Sequence, residues 1–154
     1  MTIEEKKTYL NSYIEQKQTL QRMQEEHNRL FLSRTSIGVN MDSGPRARNH
    51  SGLEVYAAKR DTLERAIIKQ KIRCLDALED IFCNIEQLTD PDPAKAEQYK
   101  IVLTYKHIEG LRMGELAQAL NCTRQHASRL YRDALECFAV HVQTIRQGGD
   151  SSRT

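Results

Sequence analysis

The side chains best suited to chemistry in this sequence lie between Arg112 and Arg132, and they are basic and amide groups. This stretch contains four arginines and one acid, Glu115, which gives a local charge of 4 − 1 = +3 in a chain whose formal net charge is +2. Guanidinium and amide groups donate hydrogen bonds to phosphates and to the edges of bases. An ordinary solvated helix face is the simpler interpretation, but it does not explain why acids are scarce here and frequent elsewhere.

Two short helices joined by a tight turn would present these side chains. Leu116, Ala117 and Leu120 form the apolar face of a first helix. Asn121 tolerates the left-handed conformation of a sharp turn, and Thr123 can cap a second helix. Small residues at Ala117 and in the second helix would let the two backbones approach closely. The predicted inner face of the second helix consists of Ala127, Leu130, Ala134 and Leu135.

A second helix that is basic on its outer face is typical of a DNA-binding helix-turn-helix, in which this recognition helix, predicted at 123–136, enters the major groove of double-stranded DNA. Arg124 and Arg129 are the expected readers of guanine, and Gln125 can pair with adenine. Arg112 and Arg132 are expected to hold phosphates. The candidate DNA-binding residues are Arg112, Thr123, Arg124, Gln125, His126, Ser128, Arg129 and Arg132.

The last third of the chain resembles region four of bacterial sigma factors. The stretch 99–120 contains the Glu-Leu-Ala of 115–117, and 123–135 contains a Thr-Arg start and an Ala-Leu end. The sequence departs from the family at two positions. Gln125 stands where sigma factors usually have Glu, and Arg129 stands where they often have Gln. The resemblance implies a three-helix DNA-binding domain.

The whole chain is similar to small phage-encoded transcriptional regulators of the RinA and ArpU kind, which place a long helical segment with a Gly/Pro/Ser-rich break before a sigma-like helix-turn-helix. This resemblance implies regulation of late or lytic genes of a phage or prophage, with RNA polymerase as a candidate protein partner. Two alternatives stay open: a small terminase-like subunit that recognises phage DNA for packaging, and a protein-only helical adaptor without DNA binding.

Two long helices are predicted ahead of this region, at 2–32 and 53–88, separated by a Gly/Ser/Pro-rich flexible loop at 33–52. Their similar lengths favour an antiparallel, coiled-coil-like hairpin. The predicted fold is therefore all-α, with a helical hairpin over 1–90 and a helix-turn-helix domain over 91–147, followed by a disordered tail at 148–154.

The second long helix has heptad-like apolar spacing. Because a two-helix hairpin has a thin core, we expect part of this stripe to pack against a second copy, as a homodimer, or against another protein. Between Asp61 and Asp92 the charge is 4 − 8 = −4, which disfavours DNA binding there. The predicted stripe consists of Leu63, Ile67, Cys74, Leu75, Leu78, Ile81, Phe82, Ile85 and Leu88.

The Asp-Pro pairs at 90–93 are expected to stop this helix and start the next, with Asp92 as cap and Pro93 at its first position. That helix should run to about Ile108, with Gly110 after it. We expect the last helix to continue through Phe138 to about 145. The inner face of the helix after Pro93 is predicted to hold Ile101, Val102, Leu103, Tyr105 and Ile108.

Other function classes find little support in the residues. No run of about 18 apolar residues or signal-peptide core is found, so a cytoplasmic protein without membrane contact is expected. The four cysteines lack the spacing of a metal site, and neither a phosphate loop nor a nucleophile motif is found. We therefore expect no catalytic residues, metal or cofactor. Of the scattered histidines, His107 and His141 are expected at the surface or half-buried.

Overall fold

The computed structural model describes residues 1–39 and 49–141, with side chains described over 1–33 and 52–141. Within these ranges the chain is all-α, as predicted, and contains no strand. The centre of the predicted loop, 40–48, and the predicted tail at 148–154 lie outside the described residues. The helices are α1 (Ile3–Val39), α2 (Asn49–Glu86), α3 (Pro93–His107), α4 (Met113–Ala119) and α5 (Arg124–Cys137).

The first helix begins with a reciprocal cap. The Glu5 N–H donates to Thr2 Oγ1 at 3.2 Å, and the Thr2 N–H donates to the Glu5 carboxylate at 2.6 Å. This pair satisfies two N–H groups that the helix itself leaves without partners. Both long helices reach into the predicted loop, since α1 continues to Val39 and α2 already begins at Asn49. The predicted helix ends at 32 and 53 were therefore wrong.

The two long helices run antiparallel. Tyr9 on α1 donates to Asp80 on α2, Gln70 donates to Gln16 at 2.7 and 2.9 Å, and His27 lies 3.3 Å from Glu64. The partner numbers on α2 fall as those on α1 rise, which defines the antiparallel direction. Because the Gln70 side chain is buried, its two hydrogen bonds to Gln16 favour one register of the helix pair.

Only one side of α2 is buried against α1. Leu75 and Phe82 were predicted in the inner stripe, but they are 63% and 47% exposed, so that part of the prediction was wrong. A single helix such as α1 can bury only one row of side chains on α2. Leu75 and Phe82 directly follow the buried Cys74 and Ile81 in sequence, so they lie about 100° further round α2 and face solvent. The residues of the predicted stripe that are buried are Ile67, Cys74, Ile81, Ile85 and Leu88.

The third helix starts as the sequence predicted. Asp92 caps it by accepting a hydrogen bond from the Ala94 N–H at 3.0 Å, and Pro93 occupies its first position. Val102 and Leu103 are fully buried, whereas Ile101, also predicted on the inner face, is exposed. Helices α3, α4 and α5 contact one another and form a three-helix head.

The last helix ends earlier than predicted, because α5 stops at Cys137 and Phe138 is extended and buried. Lys6 on α1 donates to the carbonyl oxygens of Leu135 and Glu136 at 2.9 and 3.2 Å, so a side chain occupies acceptors that a longer helix would use. The part of the predicted extension after 141 lies outside the described residues.

The buried core is continuous across the predicted boundary at residue 90. Leu10, Ile81 and Ile85 of the long helices belong to the same cluster of buried side chains as Leu103 and Leu135 of the head. The division into two domains stays a prediction, but the two parts share their apolar interior. The head is consequently packed against the end of the helix pair that contains Leu10 and Ile81, which we call the base of the helix pair.

Candidate nucleic-acid interface

The two sides of α5 differ completely in exposure. Its inner side buries Ala127, Leu130, Ala134 and Leu135, as the spacing predicted. Every predicted contact residue on this helix and its cap is exposed. The exposed candidate residues are Thr123, Arg124, Gln125, His126, Ser128, Arg129 and Arg132, together with Arg112 before α4.

The turn between α4 and α5 sets the direction of this helix. Asn121 has a φ of 52°, the left-handed conformation predicted for it. The N–H groups of Asn121 and Cys122 donate to Gln118 and Ala117 at 3.2 and 3.0 Å, which closes the end of α4. Thr123 then accepts a hydrogen bond from the His126 N–H at 3.2 Å and starts α5. These local bonds fix the position of the first turn of α5.

Two neighbouring rows of side chains run along the outer side of α5. Arg124, Ser128 and Arg132 recur every four residues and form one row, and Gln125 and Arg129 form the next. His126 is exposed, but helix geometry places it on the opposite side of α5 from Ser128. The structure thus brings five of the predicted residues on α5 onto a shared face and leaves His126 away from it.

The arginines of this face are exposed and basic. Among the described residues, none of the four arginines Arg112, Arg124, Arg129 and Arg132 forms an ion pair. Glu115 directs its carboxylate to the Arg112 N–H at 3.0 Å, where it caps α4. The exposed acids of α5, Asp133 and Glu136, lie in its C-terminal half. The N-terminal half is therefore the positive part, and the helix dipole adds to it.

A buried polar contact behind α5 was missed by the sequence prediction. His107 is 2% exposed, so its predicted position at the surface or half-buried was wrong. Its Nδ1 lies 2.9 Å from Asn11 Oδ1, and its Nε2 lies 2.9 Å from the Tyr131 hydroxyl on α5. Burial, with the charge of Lys106 as a second cause, lowers the pKa of His107 to about 4. The neutral ring thus connects α1, α3 and α5.

The sequence offered only a weak signal for this contact. His107 and Tyr131 have polar atoms on largely apolar rings, and residues of these two types are intermediate between the mostly buried and the mostly exposed types. Burial likewise raises the pKa of Tyr131 to about 12, so both rings are neutral near pH 7. The tertiary placement of α1 beside α3 and α5 decides that they meet.

Compared with protein families, curated proteins and solved structures, the chain has no significant match. No helix within the described ranges is both long enough and apolar enough to cross a membrane. In the same part of the chain, no three side chains of His, Cys, Asp or Glu are grouped so that they could hold a metal ion.

Proposed function

We propose that this chain is a sequence-specific DNA-binding transcriptional regulator that places α5 in the major groove of double-stranded DNA. The observation that carries the proposal is the exposed arginine face on the N-terminal half of α5, free of ion pairs within the described residues. A major groove about 12 Å wide admits one α-helix, and side chains near its N-terminus then meet the base edges.

Different roles follow for the arginines. Arg124 and Arg129 lie early enough on α5 to reach base edges, where a guanidinium pairs with guanine through two hydrogen bonds. Gln125, between them, can pair with adenine in the same way. Arg132, one to two turns further along, and Arg112, before α4, are assigned to phosphates, which position the protein without reading sequence. Ser128 lies in the same row as Arg124 and can bond to either kind of group.

The biological setting is part of the proposal and comes from the resemblance to phage regulators and sigma factors. In that setting the protein acts in the cytoplasm on late genes of a phage or prophage. The acidic stretch of α2 suits a protein such as RNA polymerase better than it suits DNA, since its carboxylates would repel phosphates. The head would then bind the operator while the long helices remain available to a protein.

The test begins with selection of bound fragments from a random DNA pool by the full chain. Arg129→Ala is then expected to weaken binding to the selected site by about 1–3 kcal/mol and to relax the preference at one base pair. Arg132→Ala should weaken binding to selected and scrambled sites alike. It should also reduce the slope of log affinity against log salt by about one. Gel-shift titrations at several salt concentrations measure both effects.

Lys59→Ala is the matched control, because Lys59 is an exposed base on α2, outside the head. It should leave affinity, preference and salt slope unchanged. Equal losses on all sequences for Arg129→Ala would remove its base-reading role. A native chain without any salt-dependent affinity for DNA would overturn the proposal and favour the protein-only adaptor.

A further inference from the structure

A second apolar stripe on α2 faces solvent, next to the apolar row that α1 buries. Its members recur at heptad spacing, since Ile68, Leu75 and Phe82 are seven residues apart and Ile72 lies between the first two. These four side chains are 47–63% exposed. We call them the outer stripe. A heptad row of large apolar residues is the pattern by which one helix packs along another.

The outer stripe ends beside a groove between α2 and α3. Leu75, Leu78 and Phe82 line one side of this groove, and Thr104 and Ile108 line the other. In the N-terminal half of the stripe, Ile68 lines a separate groove between α1 and α2, and Ile72 is an exposed side chain on α2. Apolar side chains and grooves at both ends of the stripe allow two copies that run in opposite directions to pack against each other.

The charges of α2 differ on the two sides of Leu75. The eleven residues before Leu75, 64–74, carry four bases and one acid, whereas the eleven residues after it, 76–86, carry four acids and no base. The bases are Arg65, Lys69, Lys71 and Arg73, and the acids are Glu64 before Leu75 and Asp76, Glu79, Asp80 and Glu86 after it. An antiparallel second copy centred on Leu75 brings each basic half opposite an acidic half. A parallel copy would place like charges together, which disfavours association.

We infer that the outer stripe is a homodimer interface in which the α2 helices of two copies pack antiparallel about a two-fold axis near Leu75. In this arrangement Ile68 of one copy meets Phe82 of the other, and Ile72 meets the groove at Leu78. Such an interface is isologous, so both copies bury the same residues. It uses none of the α5 arginines and does not depend on the proposed DNA binding.

The first experiment is sedimentation of the native full chain over a wide concentration series, without DNA. The native chain should dimerise, and Leu75→Glu should raise the dimer dissociation constant at least about a hundredfold, because it places two carboxylates at the centre of the apolar contact. Since Leu75 is exposed in the single chain, circular dichroism and thermal melting at low protein concentration should show that the variant is folded.

Leu53→Glu is the matched control, because Leu53 is a comparably exposed leucine on the same helix but lies before the outer stripe. It should leave the dissociation constant unchanged. A native chain that is monomeric throughout the series, or a dimer that Leu75→Glu does not weaken, overturns the inference.

Cysteine cross-linking tests the direction of pairing. An oxidised mixture of Ile68→Cys and Phe82→Cys chains should form disulfides between positions 68 and 82, identified by peptide mass spectrometry. Ile68→Cys chains alone should form no disulfide between two copies of position 68. A 68–68 disulfide would indicate parallel pairing and overturn the antiparallel arrangement.

Discussion

At the scale of single residues, His107 of α3 is held by polar contacts to α1 and to α5. Because Asn11 presents its amide oxygen, the ring donates from Nδ1, and Nε2 accepts from the Tyr131 hydroxyl. The neutral ring satisfies both nitrogens. Protonation would add an N–H at Nε2, so the Tyr131 hydroxyl would have to accept instead of donate, and the charge would be buried. The contact therefore couples the placement of α5 to the charge of one buried imidazole.

The pH dependence of stability follows from this contact. The pKa of His107 is about 4 in the folded chain and about 6.5 when unfolded, so between these values the unfolded chain binds the proton first. As pH falls from 6.5 to 4, we expect His107 to remove up to about 3 kcal/mol of folding free energy, with no effect above that window. Urea unfolding at a series of pH values measures this loss.

Two variants separate His107 from the carboxylates that titrate in the same range. His107→Gln should be less stable at pH 7 but should lose less stability than the native chain on acidification. His126→Gln, at an exposed histidine, should retain the native profile. If His107→Gln and the native chain lost the same free energy between pH 6.5 and 4, the buried neutral histidine would not be the cause.

At the scale of elements, two left-handed residues set the directions of the short helices. Gly110, between α3 and α4, has a φ of 73°, and Asn121, between α4 and α5, has a φ of 52°. Each follows the end of a helix within a few residues and reverses the chain. Glycine adopts this conformation without steric cost and asparagine at a small one, which explains their positions. The head depends on these two backbone reversals.

Two glycine substitutions should have opposite effects. Gly110→Ala should destabilise the chain by about 1–2 kcal/mol, because an alanine is strained at positive φ. The added Cβ itself would not clash, since it would lie 3.6 Å from Ile14 Cδ1, an ordinary van der Waals distance. Gly114→Ala, within α4 and with nothing within 4 Å of its added Cβ, should stabilise by up to about 1 kcal/mol. Chemical denaturation measures both, and a gain in stability from Gly110→Ala would contradict the backbone argument.

At the scale of the whole molecule, the long helices and the head bury one apolar cluster. Leu10 from α1 and Ile81 from α2 are fully buried with Leu103 and Leu135 of the head. The rings of Tyr9 and Phe138 lie 6.2 Å apart across the same junction. Side chains that share a core lose their contacts together, so we expect the base of the helix pair and the head to unfold as one unit.

Leu10→Ala tests this expectation. Removing a fully buried leucine side chain should destabilise the chain by about 2–5 kcal/mol. Amide hydrogen exchange should then accelerate in α5 as well as in α1 and α2. Leu53→Ala, at an exposed position, should change stability by less than about 0.5 kcal/mol. Unchanged protection in α5 with faster exchange in α1 and α2 would instead indicate two independent domains.

The sequence by itself determined the features that depend on neighbours along the chain. The caps at Asp92 and Thr123, the left-handed Asn121 and the inner row of α5 were predicted correctly, because each depends on a few adjacent residues or on the period of one helix. The exposure of Arg129 and Arg132 followed from the same period, since they lie on the side of α5 away from Ala127 and Leu130, whereas Arg124 is exposed in the first turn of the helix.

Only the tertiary structure decided which apolar row of α2 is buried. Two neighbouring heptad rows are apolar, one through Cys74 and one through Leu75, and their spacing is identical. The position of α1 selects the first row, and this choice depends on contacts between residues distant in sequence. The same reason applies to Lys6, which caps the end of α5 from α1, and to the burial of His107. Helical periodicity is a property of one segment, whereas burial requires a second segment in a defined place.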